Sequence, residues 1–349
     1  MNSDSIPSNA IKSTVERNPT FELMRVISMS LIIIHHFQIH GIKTSFYEEN
    51  LDVIIFPIFW SGVNIFFLIS GWFGIRFSIK RLLSLVFIIL CYNLINILLC
   101  WAFDHPLTPR DTILNILWPV SRSPYWFLNV YMFLMIFAPV LNAALSVLND
   151  RQLRVVIILL TIGITYSCNL GRNFCDENGR ALLQGAYLYF LGYYLRKDQS
   201  FFRRIPTVWC IVGWFVIMIF SGFITYIIRL SMFAEHTSIT MIVGSSLLFI
   251  AISRLKVKGK LITRLGMVSL GCYLLQDGNF GNEVIYPWIY SLWLKYNETL
   301  LPWGVFLGVF MALWVVSLLI HPVITKICNN ISAYFAQSRL LRPLSNVGY

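Results

Sequence analysis

Phe21–Gln38 reads FELMRVISMSLIIIHHFQ, and the rest of the chain is understood from it. The stretch is apolar and long enough to form most of a bilayer-crossing helix, for which about 20 residues suffice. Yet it carries Glu22, Arg25, His35 and His36. An ionisable group at the centre of such a helix costs roughly 3 kcal/mol to insert and marks a candidate functional site. Arg25 and His36 are eleven residues apart, about three turns at 3.6 residues per turn, so they share one helical face with roughly 16 Å between them. Glu22, three residues before Arg25, reaches the same guanidinium along the helix. His35 is expected to point away from that line. The bland alternative is an intramembrane ion pair that locks a helix bundle, with His36 hydrogen-bonded to a neighbouring helix.

Composition sets the class. Of the 349 residues 57% are hydrophobic and only 12% charged, with a mean hydropathy of +0.69. Soluble domains are about a quarter charged, so the chain reads as an all-α, polytopic membrane protein. The net charge of +11 does not point to nucleic acid, because the basic residues lie in short clusters between apolar runs, as topology signals do. No cleavable signal is expected: the first twenty residues are polar, and the first apolar run lacks a small-residue cleavage site. Of the seven cysteines, Cys91, Cys100, Cys210 and Cys272 fall in apolar runs as small buried hydrophobes. Cys168 and Cys175 bracket an expected outer loop and are able to pair on an oxidising face. No Cys/His group has metal-ligand spacing.

Apolar runs of about 20 residues predict ten spans, at 22–40, 54–73, 82–103, 126–148, 152–170, 182–196, 207–230, 238–254, 262–280 and 302–327. With the N-terminus placed inside, nineteen of the 27 Lys and Arg fall in inner segments and seven in outer ones, with Arg25 inside the first span. That bias follows the positive-inside rule and predicts both termini in the cytoplasm. Residues 1–20 are then a cytoplasmic tail, 21–330 the transmembrane domain and 331–349 a second cytoplasmic tail. No internal repeat is evident.

Other constellations stand beside the first helix. Asn64–Arg81, NIFFLISGWFGIRFSIKR, is expected to end its span at Ser70–Gly71, where glycine permits close backbone approach. Arg76, Lys80 and Arg81 follow directly, and three cations at a membrane edge suit a polyanionic donor such as the phosphates of a nucleotide-like molecule. They equally suit a topology signal touching anionic lipid. Tyr125–Trp126 leads into Asn129 and Tyr131 at the outer end of the fourth span, where such aromatics ordinarily form an anchoring belt. Gln276–Asp277 near the outer end of the ninth span either lines a cavity or bonds between helices. His321–Pro322 reads as a kink or a satisfied core group.

Taken together, Arg25 and His36 with FELMR before and VNIFFLISGWF and Arg76 beyond resemble the acyltransferase family 3 membrane proteins. SPYWFLNVYMFLMIFAPVLN, Ser123–Asn142, is similar to the family's Tyr-Trp-Phe helix, with a turn expected where the proline and asparagine fall. The resemblance implies an O-acyltransferase of the cell (inner) membrane. It implies transfer of an acyl group, usually acetyl, from cytoplasmic acetyl-CoA or another acyl-CoA, with no bound cofactor. The implied acceptor is a hydroxyl of an envelope glycan or lipid-linked saccharide on the outer side: exopolysaccharide, capsule or lipopolysaccharide. Carried over by position, Arg25 and His36 match the family's catalytic pair and Arg76 the basic residue after the Ser-Gly turn. Lys80 and Arg81 would help bind the donor, with Glu22, His35, Tyr125, Trp126 and Gln276 in support. The chain departs from the family at Cys272-Tyr-Leu-Leu-Gln276, where many members carry a histidine at the last position. The soluble transferase domain that some members append is not expected here, so transfer is expected to be completed within the membrane bundle. The rival class is a transporter or exporter in which Arg25 and His36 form a proton-linked gate, although inverted repeats of the transporter kind are not apparent.

Overall fold

The computed structural model of the chain describes residues 17–43, 51–121, 124–169, 180, 182–197, 201–338 and 341, and no strand occurs among them. Asn18 sets the first helix: its side chain accepts a hydrogen bond from Thr20 N at 3.0 Å. Pro19 occupies the first turn and Glu22 complements the positive end of the helix dipole. The result is α1 (Pro19–His36), which widens into a π-helical turn over Phe37–Gly41. There follow α2 (Asp52–Phe73), α3 (Ile79–Ala102), α4 (Pro109–Leu117), α5 (Trp126–Val147) and α6 (Asp150–Asn169). The chain continues through α7 (Leu182–Arg196), α8 (Thr207–Ile228), α9 (Ile239–Ser253), α10 (Lys260–Gln276), α11 (Tyr286–Tyr296) and α12 (Leu301–Ala336).

Ten of these helices coincide with the ten expected spans. Among the described residues, six are long and apolar enough to cross a bilayer: α1 with its π turn, α2, α3, α5, α8 and α12. Three others are short: with 15, 15 and 17 residues, α7, α9 and α10 reach only about 22–26 Å at 1.5 Å per residue. Exposed apolar side chains such as Val208 on α8 and Leu319 on α12 are the faces that lipid covers. The chain is a multi-pass membrane protein.

At the centre, α1 packs against α2, α9 and α10, while α2 also meets α7 and α8, and α12 closes against α3 and α10. Small residues set these approaches, as they do where no hydrophobic driving force separates helix from lipid. A Cβ on Gly62 of α2 would stand 2.5 Å from the Ser28 carbonyl oxygen of α1. One on Gly266 of α10 would stand 2.6 Å from Glu22 Cβ. The two helices α2 and α10 that flank the Arg25–His36 line are therefore held at close contact with α1.

Two local expectations are corrected. The second span does not end at Ser70–Gly71: Gly71 sits against the Tyr189 backbone inside α2, and the helix stops at Gly74, whose φ of 76° is open to glycine at little cost. Pro139 lies within α5 rather than at a turn. Its neighbour Asn142 instead joins a clasp on the α2–α3 connection. Ile75 N donates to Tyr189 Oη at 2.8 Å, Asn142 Nδ2 donates to Ile75 O at 2.9 Å, and Tyr189 Oη donates to Asn142 Oδ1 at 2.6 Å. The segments after α3 and after α10 hold α4, a π-helical turn at Gly281–Ile285, and α11. Of the two readings of His321–Pro322 the structure supports the satisfied core group: α12 runs through Pro322 without ending, and His321 Nδ1 lies 3.0 Å from Tyr92 Oη. Cys175 lies outside the described residues, as does the side chain of Cys168.

Gly62→Val should lower stability by about 1–3 kcal/mol, the usual cost of forcing atoms into a packed interface. Thermal unfolding of the purified protein in detergent reads this. An unchanged melting temperature would mean that α1 and α2 do not meet at backbone distance.

Candidate functional site

The face of α1 that carries Arg25 and His36 fronts a cavity of about 680 Å³, within the ordinary range of small-molecule sites. One cavity takes in both residues. At one end it is lined by Arg17 and Arg25, and at the other by His36 and His40. Between them, α2 contributes Trp60, Phe66 and Ser70, α5 contributes Trp126, Phe127 and Tyr131, and α10 contributes Ser269 and Tyr273. A polar lining at both ends and an aromatic middle give a passage with two chemically different mouths.

The Arg25 mouth is organised by Glu22, which is 2% exposed. Its Oε1 accepts from Arg25 Nη1 at 2.6 Å and from Arg17 Nη1 at 3.1 Å. A buried carboxylate between two guanidinium groups fixes both while leaving their remaining donors for an incoming anion. Phe21 packs edge-on to Phe73 and tilted against Trp72, at ring separations of 4.6 and 5.5 Å. The connection carrying Arg76, Lys80 and Arg81 thus sits at this same end. All three cations are exposed and none is among the cavity-lining residues.

The His36 mouth holds groups from several elements. His36 Nδ1 faces Asp277 Oδ1 at 3.5 Å, and the His40 ring lies edge-on to His36 at 5.6 Å. Asn279, Asn282, Glu283, Arg180 and His236 complete the lining. His236, on the connection before α9, is pushed down to about 3 by burial and by the Arg180 charge, so it stays neutral at physiological pH. No group of three or more His, Cys, Asp or Glu suited to a metal occurs among the described residues.

His35 does not point away from the site as the helical spacing suggested. Its ring lines the same cavity, 5.5 Å from His36 and 4.9 Å from Trp60, because the cavity wraps around α1 toward α2. Trp126 lines it too, 6.0 Å from His236. Tyr125 and Gln276 do not. Tyr125 is fully buried, with Oη donating to Leu274 O at 2.7 Å, and Gln276 Oε1 accepts from Tyr286 Oη at 3.0 Å. The residue after Gln276, turned about 100° around the helix, is the one that meets His36. His40, four residues after His36 in the same span, carries the i,i+4 signal that would have found it; Glu283, Arg180 and His236 carry no spacing signal toward α1, since chain folding alone brings them there.

A multi-pass bundle enclosing a cavity with cations at one mouth and imidazoles at the other is compatible with a membrane acyltransferase, and the family match gives that class. The chain belongs to acyltransferase family 3: the family's acyltransferase-domain model matches residues 18–321. No curated protein and no solved structure matches it.

Glu22→Ala should cost about 1.5–3 kcal/mol, since it removes a buried acceptor of two charged hydrogen bonds. Chemical unfolding in detergent measures the loss. Full retention of stability would show that the ion pair does not hold this mouth together.

Proposed function

We propose that the protein O-acylates an envelope glycan, moving an acyl group, acetyl by preference, from cytoplasmic acyl-CoA to a saccharide hydroxyl on the outer side of the inner membrane. The observation that carries this reading is the single cavity lined by Arg25 at one mouth and His36 at the other. About 16 Å of helix separates the two, a span matched to the extended arm of a coenzyme A thioester. The Lys and Arg bias of the inner segments supports an N-terminus, and with it the Arg25 mouth, on the cytoplasmic side.

In this reading Arg25 and Arg17 meet the donor's anionic groups as they enter, and exposed Arg76, Lys80 and Arg81 gather the phosphates outside the cavity. Binding energy spent on those remote groups positions the thioester without touching the reacting atoms. His36 takes the proton of the acceptor hydroxyl and returns it to the leaving sulfur. Aromatic walls from Trp60, Phe127 and Trp126 keep water from competing with the acceptor. Residues 21–330 form the transferase unit, flanked by cytoplasmic tails.

Membranes containing the protein and given labelled acetyl-CoA should place alkali-labile label on an envelope glycan, and His36→Ala should reduce it by about 100-fold or more at equal protein level. Label undiminished in that variant would remove His36 from the reaction. Arg76→Ala should raise the apparent donor requirement several-fold more than it lowers turnover, and the reverse pattern would place Arg76 elsewhere.

A further inference from the structure

We propose that Asp277 is the positioning carboxylate of His36, an inference that rests on the reading of His36 as the base. Among the described residues, Asp277 is the one acid within ion-pair distance of either His36 nitrogen, at 3.5 Å from Nδ1. That nitrogen is buried and makes no hydrogen bond. The Asp277 side chain is 9% exposed and lines the cavity beside the imidazole.

The turn that carries Asp277 is fixed independently of His36. Asn96 of α3 donates to Leu274 O at 3.2 Å and accepts from Phe280 N at 3.1 Å, so it bridges both sides of the aspartate. Tyr125 donates to Leu274 O, and Asn282 Nδ2 donates to Asp277 O at 3.0 Å. A Cβ on Gly278 would stand 2.3 Å from Asn96 Oδ1, so the turn closes directly on that side chain. The carboxylate is thereby held toward α1 by contacts that do not depend on the imidazole.

A histidine base needs one nitrogen protonated and oriented so that the other is free to receive a proton, and a carboxylate beside Nδ1 selects that tautomer. During transfer the acceptor oxygen bonds to the thioester carbonyl carbon while its proton passes to His36 Nε2. The carbon–sulfur bond then breaks, and the sulfur leaves as thiol with that proton. Asp277 changes neither bond nor protonation and balances the transient imidazolium charge. A contact of 3.5 Å is longer than a hydrogen bond of about 2.9 Å, and catalytic hydrogen bonds in unliganded enzymes commonly shorten once substrate is bound.

The test uses the full-length protein in liposomes, labelled acetyl-CoA as donor, and envelope membranes from a strain lacking the protein as acceptor. Asp277→Asn should lower turnover about 100-fold or more with the KM for acetyl-CoA within twofold of the parent. Asp277→Glu should recover at least tenfold over Asp277→Asn, and added formate should do the same for Asp277→Ala but not for His36→Ala. Turnover of Asp277→Asn within threefold of the parent would overturn the pairing. So would a loss in Asp277→Ala that neither formate nor the glutamate variant recovers, since a merely structural aspartate predicts that pattern. Label retained by His36→Ala would overturn the reading of His36 itself, a separate failure from that of Asp277.

Discussion

The ion pair between Glu22 and Arg25, made at 2.6 Å with Arg17 as third partner, is the contact on which the rest of the site depends. A guanidinium on a bilayer-crossing helix must be compensated, because lipid offers it nothing. Here compensation comes from within the same helix, one turn away, and the carboxylate is packed against Gly266 of α10. The pair therefore does two things at once. It allows α1 to sit in the centre of the bundle, and it ties α1 to the helix that brings Asp277 alongside His36.

From that tie follows the separation of chemical tasks along one axis. Cations collect where α1 begins, and imidazoles, a carboxylate and amides collect where it ends in a π-helical turn. Such turns recur at functional sites because they break the regular ladder and re-aim side chains; this one sets His40 beside His36. The middle of the passage is aromatic, and among the described residues no charged side chain lines it between the two mouths. Close-packed glycines keep the walls near one another, and the clasp of Tyr189 and Asn142 on Ile75 stiffens the basic connection outside the Arg25 mouth.

Much of this was legible in the sequence, and what was not has physical reasons. Helical period alone put Arg25 and His36 on one face and Glu22 within reach of Arg25, because all three lie on one uninterrupted helix. The partnership of His36 with Asp277 joins residues of α1 and α10, and no periodicity within either helix reveals which faces meet. There the sequence reading favoured Gln276, one position and about 100° away, which in the structure turns to Tyr286. Tyr125 read as part of an interfacial belt; its hydroxyl in fact holds the end of α10. Small-residue signals were read correctly as close approach at Gly71 but not as to where the helix stops. The break falls at Gly74, where positive φ is required.

Photolabelling with an acyl-CoA whose acyl chain ends in a diazirine tests most directly whether a thioester threads this cavity from Arg25 to His36. Label is predicted on peptides from the second half of α1 and from the Tyr273–Glu283 end of α10, with competition by unmodified acyl-CoA. Label confined to the lipid-facing surfaces of α8 and α12, or spread evenly over the bundle and insensitive to competitor, would contradict a passage between the two mouths.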